Sequence, residues 1–176
     1  MATSTAIALS TVVQLSVAVN LANSLNAGSS AANLTGNYGV ALANGVTAGQ
    51  ADKSWWDHRT LAASTSETLD LAGSLVDPFG GTVTMARIKG LLVSADATNT
   101  NNVVVGGAAS NAVAGLFGAT THTAIVRPGA TLLWLAGLAD AIGYTVTAGT
   151  GDLLQVANSG AGSTVGYSIV VIGTST

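Results

Sequence analysis

Charge is what this sequence has least of. Asp, Glu, Lys and Arg make up 7% of its 176 residues, against ~25% in an ordinary domain, and none occurs before Asp52. Surface charge keeps a monomer soluble and apart from its neighbours. A chain this bare is therefore expected to hide much of its surface against other protein. Cysteine is absent, which excludes a disulfide framework and a thiolate metal site. The five basic residues, Lys53, Arg59, Arg87, Lys89 and Arg127, are scattered, and the net charge is -3. A binder of nucleic-acid phosphates needs clustered Lys and Arg, so no nucleic-acid partner is expected.

Long apolar runs are missing too. The mean hydropathy of +0.53 is high, yet no stretch reaches the ~20 apolar residues of a spanning helix. Three Trp and three Tyr cannot furnish the aromatic girdles of an outer-membrane barrel. The opening Met1-Ala2-Thr3-Ser4-Thr5 has no basic region of the signal-peptide kind. The expectation is a soluble protein without a targeting segment or membrane partner. With aromatics at 5%, the core must be built from Val, Leu, Ile and Ala.

What is present is a β pattern. Across residues 6–21, Ile7, Leu9, Val13, Leu15, Val17, Val19 and Leu21 share one parity, and Ala, Ser, Gln and Asn dominate the other. That is a half-buried strand, long enough to lie across a neighbouring subunit. Residues 26–50 are rich in Gly, Ala, Asn and Ser, with turn signals at Asn37-Tyr38-Gly39 and Asn44-Gly45. They read either as a flexible linker or as an extended arm that orders against a partner. Asp52-Lys53-Ser54-Trp55-Trp56-Asp57-His58-Arg59 is the one concentrated block of charge and aromatic. From Thr60 onward, short β-branched runs alternate with Gly, Asn, Asp and Pro clusters every ~8–12 residues, the pattern of a sandwich or barrel.

Strands are expected at 67–72, 82–95, 102–106, 123–127, 131–135, 144–148, 152–157 and 164–172. Asp77-Pro78-Phe79-Gly80-Gly81 and Arg127-Pro128-Gly129 are turns. Ile169-Val170-Val171-Ile172 is apolar on both parities, so the last strand should be buried on both faces. The chain thus divides into an N-terminal extended arm and linker, 1–59, and a sandwich domain, 60–176. The fold class is all-β, an antiparallel β-sandwich of jelly-roll kind.

Catalytic signatures are weak. Asp57-His58 lacks any Gly-x-Ser-x-Gly elbow and reads as a polar tip beside two rings, not a triad. His58 and His122 are far apart in sequence and the eight carboxylates are dispersed, so no metal site is indicated. No acid pair stands out for glycoside hydrolysis. The glycine-rich 160–166 segment has neither the spacing nor the Lys of a phosphate loop. Trp55-Trp56 is the most informative pair. Neighbours on a strand face opposite ways, so one ring can enter the core while the other stays free to anchor a protein or stack on a sugar; the alternative is that both are core aromatics.

Several segments carry a resemblance. They are Glu67-Thr68-Leu69-Asp70-Leu71-Ala72-Gly73, Ile125-Val126-Arg127-Pro128-Gly129, Gly151-Asp152-Leu153-Leu154-Gln155-Val156-Ala157-Asn158, and the ending Val165-Gly166-Tyr167-Ser168-Ile169-Val170-Val171-Ile172-Gly173-Thr174. The region from Glu67 onward resembles the β-sandwich, jelly-roll structural proteins of tailed bacteriophages, including head-decoration or cement proteins. The resemblance implies a non-enzymatic virion subunit without cofactor, made in the host cytoplasm and seated on the particle surface. It also implies the major capsid protein and copies of the chain itself, as a homotrimer, as partners. Ile7, Leu9, Val13, Leu15, Val17, Tyr38, Trp55 and Trp56 are the candidate partner-binding residues. The alternative is a tail or fibre-tip component that binds a receptor or glycan through an exposed Trp and the 99–102 loop.

Overall fold

The computed structural model describes residues 9–25 and 28–176, with side chains described outside 21–30. The described residues are all-β. The N-terminal part is an antiparallel ribbon of β1 (Thr11–Leu25) and β2 (Gly28–Asn44), with the short β3 (Gln50–Ala51) pairing parallel to the end of β2. The body follows with β4 (Lys53–Leu61), β5 (Ser66–Asp70), β6 (Leu75–Val76), β7 (Thr82–Val83), β8 (Arg87–Ala95), β9 (Val103–Gly106), β10 (Thr123–Val126), β11 (Thr131–Leu135), β12 (Tyr144–Thr145), β13 (Leu153–Asn158) and β14 (Val165–Thr174).

Two larger sheets and the small β6-β7 pair form the body. One runs β11-β8-β14-β4, with β12 also pairing β8, and the other runs β10-β9-β13-β5. The pairings nest: β4 with β14, β5 with β13, β8 with β11, β9 with β10. The chain therefore closes around its own middle, and its last strand lies beside the first strand of the body. Inward residues of the two sheets interdigitate into one core. Trp55, Leu61, Leu91, Val93, Ile169 and Val171 come from one side, and Leu69, Val103, Val105, Leu154 and Val156 from the other. Alternation along β13 is strict, with Leu154, Val156 and Asn158 buried and their neighbours partly open, as a strand with one face to the core requires.

The doubly apolar β14 is the central strand expected of it. Its inner residues Ile169 and Val171 are fully buried, and outward Ile172 is covered as well. Expected residues 82–95 are not one strand. Thr84, Met85 and Ala86 interrupt them, and β8 begins at Arg87. The boundary drawn after residue 59 falls inside β4, because the Trp block itself pairs with β14 from Lys53↔Gly173 to Leu61↔Val165.

The turns follow their residue chemistry. The amide of Ala130 donates to the Arg127 carbonyl at 2.9 Å, and Gly129 takes φ 72°, a value Gly adopts without Cβ strain. The β6–β7 turn is held by Asp77, whose Oδ1 accepts from the amides of Phe79 and Gly81, each at 2.8 Å. At one end of the body, side-chain amides substitute for ladder bonds. Asn99 pairs with both backbone groups of Gly166, and Asn158 donates to the carbonyls of Ala62 and Ser163 while accepting from Asn101.

Between the sheets sits one ionic cluster. Arg59 Nε donates to Glu67 Oε2 at 2.6 Å and its Nη1 to Asp57 at 2.7 Å, while the Tyr167 hydroxyl donates to Glu67 Oε1 at 2.7 Å. Burial, then the bond to Glu67, drives the Tyr167 phenol well above its ordinary value; the Glu67 bond likewise holds Arg59 firmly protonated. Replacing Glu67 by Ala strands a buried hydroxyl and a guanidinium and should cost about 1–3 kcal/mol, measurable by denaturant unfolding. A phenol whose folded pKa is raised stabilises fully below its unfolded value of about 10 and loses that contribution as pH rises further. Stability should therefore fall above about pH 10, and Tyr167→Phe should remove that part of the fall.

Candidate interaction surface

The ribbon is the least ordinary part of the molecule. Its register places Val13 opposite Val40, Leu15 opposite Tyr38, Val17 opposite Gly36 and Val19 opposite Leu34. Directly opposed residues lie on the same face of an antiparallel pair, so these form one apolar face. Gln14, Ser16, Ala18 and Asn20, with Gly39, Asn37, Thr35 and Asn33 opposite them, form the polar one. No residue of the ribbon carries charge. At ~3.4 Å per residue, fifteen-residue β1 is about 50 Å long.

Among the described residues, the body covers the root of that apolar face. Leu42, Ala51 and Ile172 are buried together, with Leu9, Val13, Val40 and Val170 packed around them. Farther out the same face is open: Leu15 is 51% exposed, Val19 41%, Leu34 62% and Tyr38 63%. Within residues 26–50, residues 28–42 pair with β1 and Ala43 and Asn44 with β3, so most of the stretch is strand and not flexible linker. The Asn37-Tyr38-Gly39 turn signal fails for the same reason. Gly39 serves close approach instead, since a Cβ there would run into the Val13 carbonyl across the ribbon. Asn44-Gly45 does end the strand, with Gly45 at φ 145°.

Beneath the root lies the outer face of the β11-β8-β14-β4 sheet. The registers align Trp56, Val170, Leu92 and Leu133 in one row across four strands, and Ser54, Ile172, Gly90 and Leu135 in the next. A third row, His58, Ser168, Ser94 and Thr131, is polar. In that row His58 Nδ1 lies 3.1 Å from Ser168 Oγ, and Nε2 lies 3.6 Å from Asp96 Oδ2. Ribbon residues Thr11 to Gln14 stand over the apolar rows and leave an open groove of about 300 Å³, walled by Val12, Val13, Leu92, Leu133, Leu135 and Val170. A second groove of about 330 Å³ runs beside it, where Trp56 and Phe79 flank Asp52, Lys53 and Asp77.

The candidate residues therefore separate. Leu9 and Val13 belong to the covered root, whereas Leu15, Val17 and Tyr38 lie on the outlying face. Ile7 lies outside the described residues. Trp55 and Trp56 point opposite ways, as strand geometry requires: Trp55 is 5% exposed in the core, and Trp56 is 55% exposed on the outer face. Trp55 is thus not available to a partner. Leu34, Leu92 and Leu133 went unrecognised in the sequence, because their place beside the candidates depends on cross-strand register and not on local pattern. His122 is an exposed turn residue, its ring Nδ1 3.0 Å from the Phe117 carbonyl. The Asn99 and Asn101 amides are spent on holding loops together.

Among the described residues no group of three His, Cys, Asp or Glu is placed to hold a metal ion. Buried Lys89 gives its amine to the Asp140 carbonyl at 2.6 Å, and desolvation lowers its affinity for a proton. It fastens the 136–143 loop and faces neither groove. Comparison with protein-family models, with curated proteins and with solved structures found no match to this chain.

The two tryptophans give a sharp contrast. Trp55→Ala should destabilise the body by about 3–5 kcal/mol through the cavity it opens. Trp56→Ala should change stability by no more than about 0.5 kcal/mol. Parallel urea titrations of the two variants check both values.

Proposed function

We propose that this chain is a non-catalytic structural subunit of a virus particle, a head-decoration or cement protein. In this reading its ribbon grips the major capsid protein and further copies of the chain. The observation that carries the reading is the outlying half of the ribbon: a long, uncharged strand pair on whose apolar face Leu15, Leu34 and Tyr38 are each more than half exposed. A two-stranded ribbon alone in water is marginal at best, and exposed unguarded strand edges invite pairing with other chains. Evolution blunts such edges with Lys, Pro or covering segments, and the ribbon has neither Lys nor Pro.

The body supports the same reading. Eight of its strands nest as two four-stranded sheets, and we infer jelly-roll wiring from that order, an architecture used by viral capsid domains. Many simultaneous contacts across a particle lattice multiply weak affinities, so each contact can be broad and uncharged. A ring of three copies suits the closed symmetry usual for homo-oligomers.

One observation favours a second reading, a receptor- or glycan-binding module. Trp56 and Phe79, the latter 80% exposed, both line the second groove, together with Asp52 and Asp77. Sugars added to the protein would then quench Trp fluorescence, and Trp56→Ala would abolish the response.

The full chain carrying Leu15→Asp, Leu34→Asp and Tyr38→Ser together should keep its body fold and lose co-sedimentation with shells assembled without it. Each side chain forfeits about 1.5–3 kcal/mol of burial if it is covered in the complex. Undiminished co-sedimentation would count against the ribbon as the gripping element.

A further inference from the structure

We infer that the outlying apolar face of the ribbon docks on the outer sheet face of a second copy of this chain, over the row of Trp56, Leu92 and Leu133. The inference rests on the ribbon being an assembly device and specifies what it grips first.

The seat already exists within one molecule. At the root, Val13, Val40 and Leu42 lie on Val170 and Ile172 of the chain's own sheet. Farther along the same ribbon face, Leu15, Val19 and Leu34 repeat that chemistry and stay exposed. On the sheet, the row holding Trp56, Leu92 and Leu133 repeats the chemistry of the occupied part and is only partly covered. One molecule thus carries a surplus of ribbon and a surplus of seat.

The outlying ribbon cannot meet that seat in its own molecule. The strands are extended and run away from the root, so Leu34, about six residues and ~20 Å beyond Val40, has left the sheet behind. A second copy supplies the seat at the required distance. Charge agrees with this occupant, because neither the ribbon nor the Trp56–Leu133 row contains a charged residue. Room agrees as well. The groove of about 300 Å³ between ribbon and sheet accepts about two side chains of benzene size, at ~150 Å³ each. The contact joins two different patches, ribbon of one copy to sheet of the next. Contacts of that kind close into rings when the rotation permits.

The test is sedimentation equilibrium on the full chain and on two outward-facing variants, Leu34→Asp on the ribbon and Leu133→Asp on the sheet. The unaltered chain should self-associate. Each variant should weaken association by roughly 30-fold or more, as loss of a central anchor does. An equimolar mixture of the two should recover a one-to-one complex, because the Leu133→Asp chain retains a sound ribbon and the Leu34→Asp chain a sound seat. Leu15→Asp and Trp56→Asp provide a second pair should either first variant lose its circular dichroism spectrum. A monomeric unaltered chain, an unaffected Leu133→Asp variant, or a mixture that stays monomeric overturns the inference. Shell binding by a chain that remains monomeric would overturn it while leaving the particle role intact. Association without shell binding would overturn the particle role alone.

Discussion

The arrangement of this molecule depends on a small apolar seat: Leu42, Ala51 and Ile172 closed together, with Val13, Val40 and Val170 around them. A two-stranded ribbon gains backbone hydrogen bonds on one side of each strand only, and those bonds barely repay the ordering of the chain. Without the seat, residues 9–44 would have little reason to hold a direction. With it, the ribbon leaves the body at a defined place, lying over the outer rows of one sheet. Asp52 reinforces the exit. Its carboxylate accepts from the amide and hydroxyl of Ser175 at 2.8 and 2.6 Å, tying the junction to the end of the chain.

The body solves a different problem, that of closing a sandwich with few large aromatics. Nested pairing puts β14 between β4 and β8, so a strand late in the sequence fills the middle of a sheet. Val and Ile dominate its inner side because branched side chains fill a pleated surface with little loss of rotamer freedom. Tyr167, fully buried on that strand, is acceptable because its hydroxyl finds Glu67. Glu67 in turn is acceptable because Arg59 neutralises it. Such a group contributes less as net stability than as fixed geometry, since desolvation consumes much of what the ion pair gains. It joins β4, β5 and β14 across the gap between sheets, a place where apolar contacts alone would allow sliding.

Much of the body was legible in the sequence, and for local reasons. Asp77-Pro78-Phe79-Gly80-Gly81 and Arg127-Pro128-Gly129 announce turns through residues with fixed backbone preferences, and the strands between them follow. The parity of Ile7 to Leu21 announced a strand, and β1 occupies most of that stretch. β2 was not legible as a strand. Gly36, Gly39 and the surrounding Asn residues lower its β propensity, and its order comes from cross-strand pairing with β1, as between Gly39 and Gln14. By sequence the Trp block reads as part of the 1–59 arm, yet Asp57 and Arg59 belong to the inter-sheet cluster. Pairing with β14, more than a hundred residues distant, decides that, and no window along the chain contains the information.

The candidate surface shows the same division. Trp55 and Trp56 announced opposite fates through adjacency alone, but which ring is buried depended on the inward parity that Leu61 and Arg59 share with Trp55. Leu34 and Leu133 sit in unremarkable sequence, one in a Gly/Asn-rich stretch and the other in a short apolar run. They gain meaning only when register aligns Leu133 with Leu92, Val170 and Trp56, and Leu34 with Val19. Scarcity of charge is the property that both surfaces share, and it follows from one constraint. A face that alternates between water and another protein can use rim charges to steer its partner. A face that stays covered has no use for them and bears their desolvation cost. A sequence that omits charge over its first fifty-one residues is therefore suited to surfaces that, once joined, stay joined.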